Sequence, residues 1–182
     1  MNGFLIVIFL IIILAIILGI YYIYLFNKIN ESIIRIDEAE SRIDTNLRDK
    51  FDLLNRSVSL FKSKIELEQD NFKELVKLRT KKLSNFDLDR ELVNVYNEFL
   101  TIYEKNPVLR ESDEVYKVSK QLEIINEELV TLRNYYNANI INYNSMIKKF
   151  PTNIIAKFKK YKERLFYDLK DMKDDNYDDF KL

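Results

Sequence analysis

Chemistry in this chain would have to come from carboxylates, lysines, arginines and hydroxyls. The 182 residues include no cysteine and no histidine. That removes thiolate nucleophiles, sulfur-ligated metals, the commonest general base and the commonest zinc ligand. Two carboxylates suffice for glycoside hydrolysis when they face each other across a cleft. The acids Glu66, Glu68, Asp70 and Glu74 fall instead mostly on polar helix faces, beside lysines such as Lys62 and Lys64. They read as surface ion pairs of little individual weight. The expectation is a protein that is not an enzyme and carries no cofactor or metal. The 29 basic and 29 acidic residues cancel, which leaves no net positive field to draw in nucleic acid, so DNA and RNA are not expected partners.

The most distinctive stretch runs from Arg133 to Ala156, RNYYNANIINYNSMIKKFPTNIIA. Tyr136-Asn137 and Tyr143-Asn144 stand seven residues apart, hence on one helix face. These residues could bind something. The simpler reading makes both tyrosines core residues with a hydroxyl at the rim, and gives the asparagines a register-fixing role through hydrogen bonds. At Phe150-Pro151-Thr152-Asn153, proline stops one helix and Asn153 caps the next.

The elements that position these residues are helices. Two glycines and two prolines in the whole chain leave few tight turns. Ile29, Ile33, Ile36, Ile43, Leu47, Leu54, Val58, Phe61, Ile65, Phe72 and Leu75 recur at steps of three, four or seven. They predict one long amphipathic helix reaching the region of Lys82. Ser84 or Asp87 then caps a helix carrying Leu88, Leu92, Val95, Phe99 and Ile102, which Asn106-Pro107 ends. Ser112 precedes a third helix, with Val115, Val118, Leu122, Ile125, Leu129, Leu132, Tyr136, Ile140, Tyr143, Ile147 and Phe150 on one stripe. A last helix starts near Thr152 or Asn153 and buries Ile154, Phe158, Tyr161 and Leu165. Each helix has a single apolar stripe that another helix must cover, so an elongated antiparallel bundle of three to four helices is expected over residues 27–169. Residues 170–182 are acidic and weakly apolar and are expected to form a mobile tail.

Ahead of the bundle, residues 4–26 carry no charge. At ~1.5 Å per residue they reach roughly 34 Å, enough for the ~30 Å hydrocarbon core of a bilayer. The basic leader and small-x-small site of a signal peptide are missing, so the run reads as an uncleaved transmembrane anchor in contact with the lipid bilayer. Tyr21, Tyr22 and Tyr24 cluster at its C-terminal end, where amphipathic rings prefer the headgroup layer. Lys28, Arg35 and Arg42 follow the run and no basic residue precedes it, which places the domain on the cytoplasmic side and the short N-terminus outside. Ala15 and Gly19 form a small-xxx-small pair through which two anchors could pack, although chance placement of two small residues is the simpler reading.

The sequence resembles the LemA family, membrane-anchored helical proteins of bacteria. The resemblance is carried by Arg133, the pairs Tyr136-Asn137 and Tyr143-Asn144, and Phe150-Pro151 followed by Asn153, Ile155 and Ala156. Upstream it rests on Asp52-Leu53-Leu54 with Val58, Glu68 with Arg79, Glu104 with Pro107 and Leu109, and Phe26-Asn27. The chain departs from the family at Asp49 and Asn55, where arginine and proline are frequent, at Asn126, often glutamate, and at Lys159, usually glycine; a kink near residue 55 stays open. The resemblance implies one transmembrane helix in the bacterial cell membrane, a short outer N-terminus and a helical domain with no settled biochemical activity. Two functional readings follow. The first is a non-enzymatic scaffold or adaptor that binds another protein of the cell envelope. The alternative is a structural membrane protein that self-assembles into homo-oligomers.

Overall fold

The structure, a computed structural model, describes residues 2–68, 70–81 and 83–167. The expected acidic tail, residues 170–182, lies outside the described residues. The described chain is all-helical. Its elements are α1 (Asn2–Lys64), α2 (Lys73–Leu78), α3 (Asn85–Lys105), α4 (Pro107–Arg110), α5 (Asp113–Lys148) and α6 (Thr152–Lys159). The uncharged run and the first apolar stripe as far as Phe61 lie on α1, and the helix passes through Asn55 without a break.

The chain divides into two compact units, one formed by residues up to Glu38 with Tyr136–Leu165, the other by Ala39–Tyr135 with Phe166 and Tyr167 among the described residues. In the first unit, Phe4 to Tyr24 are exposed, and burial on α1 begins at Leu25 and continues through Ile29, Ser32 and Ile36. α5 supplies Tyr136, Ile140, Tyr143 and Ile147 to the same unit, and α6 supplies Ile155 and Ala156. In the second unit, α1 contributes Ile43, Leu47, Leu54 and Phe61, α3 contributes Leu92, Val95 and Phe99, and α5 contributes Val115, Val118, Leu122 and Leu129. Phe61 stacks on Phe99 at 5.3 Å between ring centroids and meets Phe72 edge-on at 6.1 Å.

Three local starts follow the sequence. Ser84 caps α3, its hydroxyl accepting the Asp87 N–H at 3.2 Å and donating to the Asp87 carboxylate at 2.7 Å. Pro107 takes the first position of α4, where a missing N–H costs nothing. α5 begins at Asp113 with Glu114 in its first turn, both acids facing the positive end of the helix dipole.

Two expectations are corrected. α1 stops at Lys64 rather than near Lys82, and Asp70, Asn71 and Phe72 form a turn before the short α2. No glycine or proline marks this break. Phe72 takes a left-handed conformation at φ 59°, and the Glu98 carboxylate of α3 accepts its N–H at 2.8 Å and the Asn71 side-chain amide at 3.3 Å. A carboxylate 26 residues away in sequence holds the turn. The second correction concerns α6. Ile154, Phe158 and Leu165 are exposed, and the buried face is Thr152, Ile155 and Ala156. The expected stripe assumed that the helix continues, but Lys160 turns left-handed at φ 56°. Tyr161 N–H then bonds Ala156 O at 2.9 Å and Lys160 N–H bonds Lys157 O, the closing pattern of a helix C-terminus.

Candidate functional site

The buried stripe of α1 in the second unit reads Ile43, Leu47, Lys50, Leu54, Ser57, Phe61. A lysine therefore occupies a core position, and it is fully enclosed. α3 presents Asp89 to the same interior, equally enclosed, one turn before Leu92. Arg133 on α5 reaches Asp89 with Nε and Nη2, each at 2.7 Å, in a bidentate pair. Among the described residues Lys50 Nζ has no hydrogen-bond partner, and it lies 5.4 Å from the centroid of the Tyr96 ring. Burial lowers the Lys50 pKa to about 8, against the opposing pull of Asp89, with Arg133 adding to the depression. The centre thus holds two cations around one carboxylate in a low-dielectric interior.

A lysine with a depressed pKa is the kind that serves as a nucleophile or base elsewhere. Here its ammonium has no accessible surface, so it meets no substrate in this conformation. What the arrangement does chemically is tie α3 to α5 through the Asp89–Arg133 pair, while the Asp89 charge offsets part of the cost of burying Lys50 on α1. Spacing alone had signalled Lys50 and Asp89: Lys50 sits at the three-four step between Leu47 and Leu54, and Asp89 one turn ahead of Leu92. Sequence reading passed over both because it followed apolar residues only.

The first unit holds a second polar constellation. Tyr136 and Tyr143 are buried rings whose hydroxyls donate to Leu165 O at 3.5 Å and Lys162 O at 3.0 Å. The Asn144 amide donates to Arg164 O at 2.9 Å while its oxygen accepts Arg164 N–H at 3.0 Å. The side chain imitates a strand partner for one residue of the segment after α6. Arg164 pairs with Asp37 at 2.5 Å, and the Tyr161 hydroxyl donates to Asn30 at 3.1 Å, so the same segment is fastened to α1. Burial raises the Tyr143 pKa above its ordinary value and keeps the phenol a donor.

These contacts show where the distinctive stretch sits and what its side chains hold. The sequence profile of the LemA family matches residues 39–178. The chain belongs to the LemA family. Comparison with curated proteins finds no match. The matched region leaves out the uncharged run, so in this LemA chain the anchor rests on hydropathy: α1 carries a stretch near the N-terminus long and apolar enough to cross a membrane.

The structure brings the motif residues of this LemA protein to three places. Arg133 belongs to the buried charge centre. Tyr136, Tyr143 and Asn144 clasp the segment that follows α6, with Asn137 half-buried on the same stretch of α5. Phe150, Pro151, Asn153 and Ala156 form the α5–α6 turn, in which the Phe150-Pro151 peptide is cis, Phe150 is exposed and Ala156 is buried. Asn153 does not cap α6. The helix starts at Thr152, whose hydroxyl donates back to Met146 O and, at 2.8 Å, to Lys149 O, while the Asn153 N–H is taken by Lys149 O at 2.8 Å. Asn55, standing where a family proline is frequent, donates to Phe51 O at 2.8 Å and accepts Arg79 Nη2 at 2.6 Å. Of the acids weighed for catalysis, Asp70 pairs with Lys73 and Glu74 with Lys77, all solvent-exposed.

Proposed function

We propose that this LemA-family chain is a membrane-anchored, non-enzymatic scaffold of the bacterial cell envelope, with its helical part on the cytoplasmic side. The observation that carries the reading is the burial pattern of α1: its apolar run is uncovered from Phe4 to Tyr24, while one stripe is enclosed from Leu25 onward. One helix thus suits two solvents, lipid and then water. Three to four antiparallel helices are part of the reading. Arg42 pairs with Glu128 and Lys64 with Glu114, which supports α1 and α5 running in opposite directions. A scaffold also fits acids such as Asp70 and Glu74, exposed and paired with lysines, and a Lys50 that is enclosed without access.

In-cell crosslinking of the full chain, followed by identification of captured proteins, tests the adaptor role. Recovery of a defined envelope protein supports it, and recovery of self-complexes alone transfers the reading to self-assembly. Protease treatment of intact against lysed cells tests the side. Digestion of the helical part in intact cells overturns the cytoplasmic placement.

A further inference from the structure

α6 leaves an apolar face uncovered beside the point where the anchor ends. Phe150 and Phe158 are each 80% exposed and Ile154 is 60% exposed, and 154 and 158 lie one turn apart on the side opposite Ile155 and Ala156. From Lys148 to Lys162 there are six lysines and no acid. Lys149, Lys157 and Lys160 are exposed around the apolar face.

Contacts within the unit set the level of this face along α1. Lys159 Nζ lies 5.3 Å from the Phe26 ring centroid, the Tyr161 hydroxyl bonds Asn30, and Lys149 lines a surface cleft with Lys28 and Ser32. All these α1 residues fall within two turns of Phe26, where the uncharged run stops, so α6 stands at the height of the headgroup layer. An exposed aromatic face there, rimmed by long cationic side chains that can snorkel, has the composition of an interfacial helix. Anionic lipid supplies the matching charge.

We propose that the Ile154–Phe158 face of α6, with Phe150 of the turn before it, lies on the bilayer surface next to the anchor and binds anionic phospholipid headgroups through Lys149, Lys157 and Lys160. This rests on the membrane-anchored reading. Docking at a second point fixes the helical part against the membrane, where a single helix alone would leave it free to swing.

The chain has no cysteine, so Phe158→Cys provides a single labelling position on a side chain that packs against little. The full chain is reconstituted in phosphatidylcholine vesicles with and without phosphatidylglycerol, labelled with a polarity-sensitive fluorophore and quenched by shallow spin-labelled lipid. Ile141→Cys, exposed on α5 nine residues before Phe150, is the reference. The expected result is a blue-shifted Phe158→Cys probe quenched about threefold more than the reference, as for a face lying ~5–10 Å into the headgroup boundary. Neutral vesicles, or Lys149→Gln with Lys157→Gln and Lys160→Gln, reduce the difference. An Ile154→Cys probe repeats the measurement independently. Equal quenching at both sites overturns the proposal, and so does a blue shift without lipid quenching, which signifies a protein cover. Failure of the chain to float with the vesicles is a separate outcome that removes the anchor as well.

Discussion

Arg133 on α5 holds Asp89 on α3 through two parallel hydrogen bonds of 2.7 Å, and the Asp89 carboxylate is wholly enclosed. Removing the acid leaves the enclosed Lys50 and the partly buried Arg133 without the carboxylate between them. Asp89→Ala is therefore expected to destabilise the helical part by about 3–5 kcal/mol, as for other broken buried pairs. At this chain length that lowers the melting temperature by roughly 10 °C, read by circular dichroism of the detergent-solubilised protein. A shift of a degree or less would show that Asp89 is not carrying the charges around it.

Lys50 gives a prediction of opposite sign. Its folded-state pKa of about 8 lies below the ordinary 10.5, so the unfolded chain binds the proton more tightly. The penalty is complete below pH 8 and disappears as pH rises toward 10.5; stability due to this group increases through that window. A shift of this size corresponds to about 3 kcal/mol. Lys50→Met, similar in volume and uncharged, is expected to be more stable than the native chain at pH 7, with the gap closing by pH 10. Denaturant midpoints at the two pH values measure it, and a gap that is constant with pH contradicts the assignment.

How far the fold was legible follows from the same residues. Steps of three and four located α1, α3 and α5, and Ser84, Pro107 and Pro151 marked real boundaries, because local chemistry decides those places. The break after Lys64 was invisible, since it depends on Glu98, which belongs to another helix. The charge centre was half legible: Arg133 stood out within a motif, while Lys50 and Asp89 were hidden by the assumption that ionisable side chains lie outside. The buried face of α6 was misjudged because its stripe was counted past Lys160, where the helix has already ended.

The Glu98 contact is itself testable. Its carboxylate accepts the Phe72 N–H and the Asn71 amide, and Phe72 would otherwise have no reason to remain left-handed. Glu98→Ala is expected to cost about 1–3 kcal/mol and to speed hydrogen exchange at the Phe72 amide well beyond the global change. Unaltered exchange at Phe72 would mean the Phe61 and Phe99 rings suffice to hold the turn.

Lys160 adopts φ 56° where a side chain is disfavoured. Glycine tolerates that conformation freely, so Lys160→Gly is expected to stabilise the C-terminus of α6 by roughly 1 kcal/mol, less the extra chain entropy of the unfolded state. Lys160→Val, β-branched, moves stability the other way. Thermal melts of the pair give the sign directly, and two variants shifting in the same direction refute the strain argument.

Asn144 bonds both backbone groups of Arg164, whereas Tyr143 bonds one carbonyl, that of Lys162. The two substitutions Asn144→Ala and Tyr143→Phe therefore separate two roles. Tyr143→Phe removes one hydrogen bond and keeps the ring, for about 1 kcal/mol. Asn144→Ala leaves the Arg164 N–H and carbonyl without their partner, and the segment loses its fastening between α5 and the Arg164–Asp37 pair. Its expected signature is local: faster hydrogen exchange at the Arg164 amide and new protease cleavage near residues 161–165, with α1 and α5 amides slowed as before. Equal, uniform destabilisation by both variants would make Asn144 an ordinary packing residue instead of the clasp on this segment.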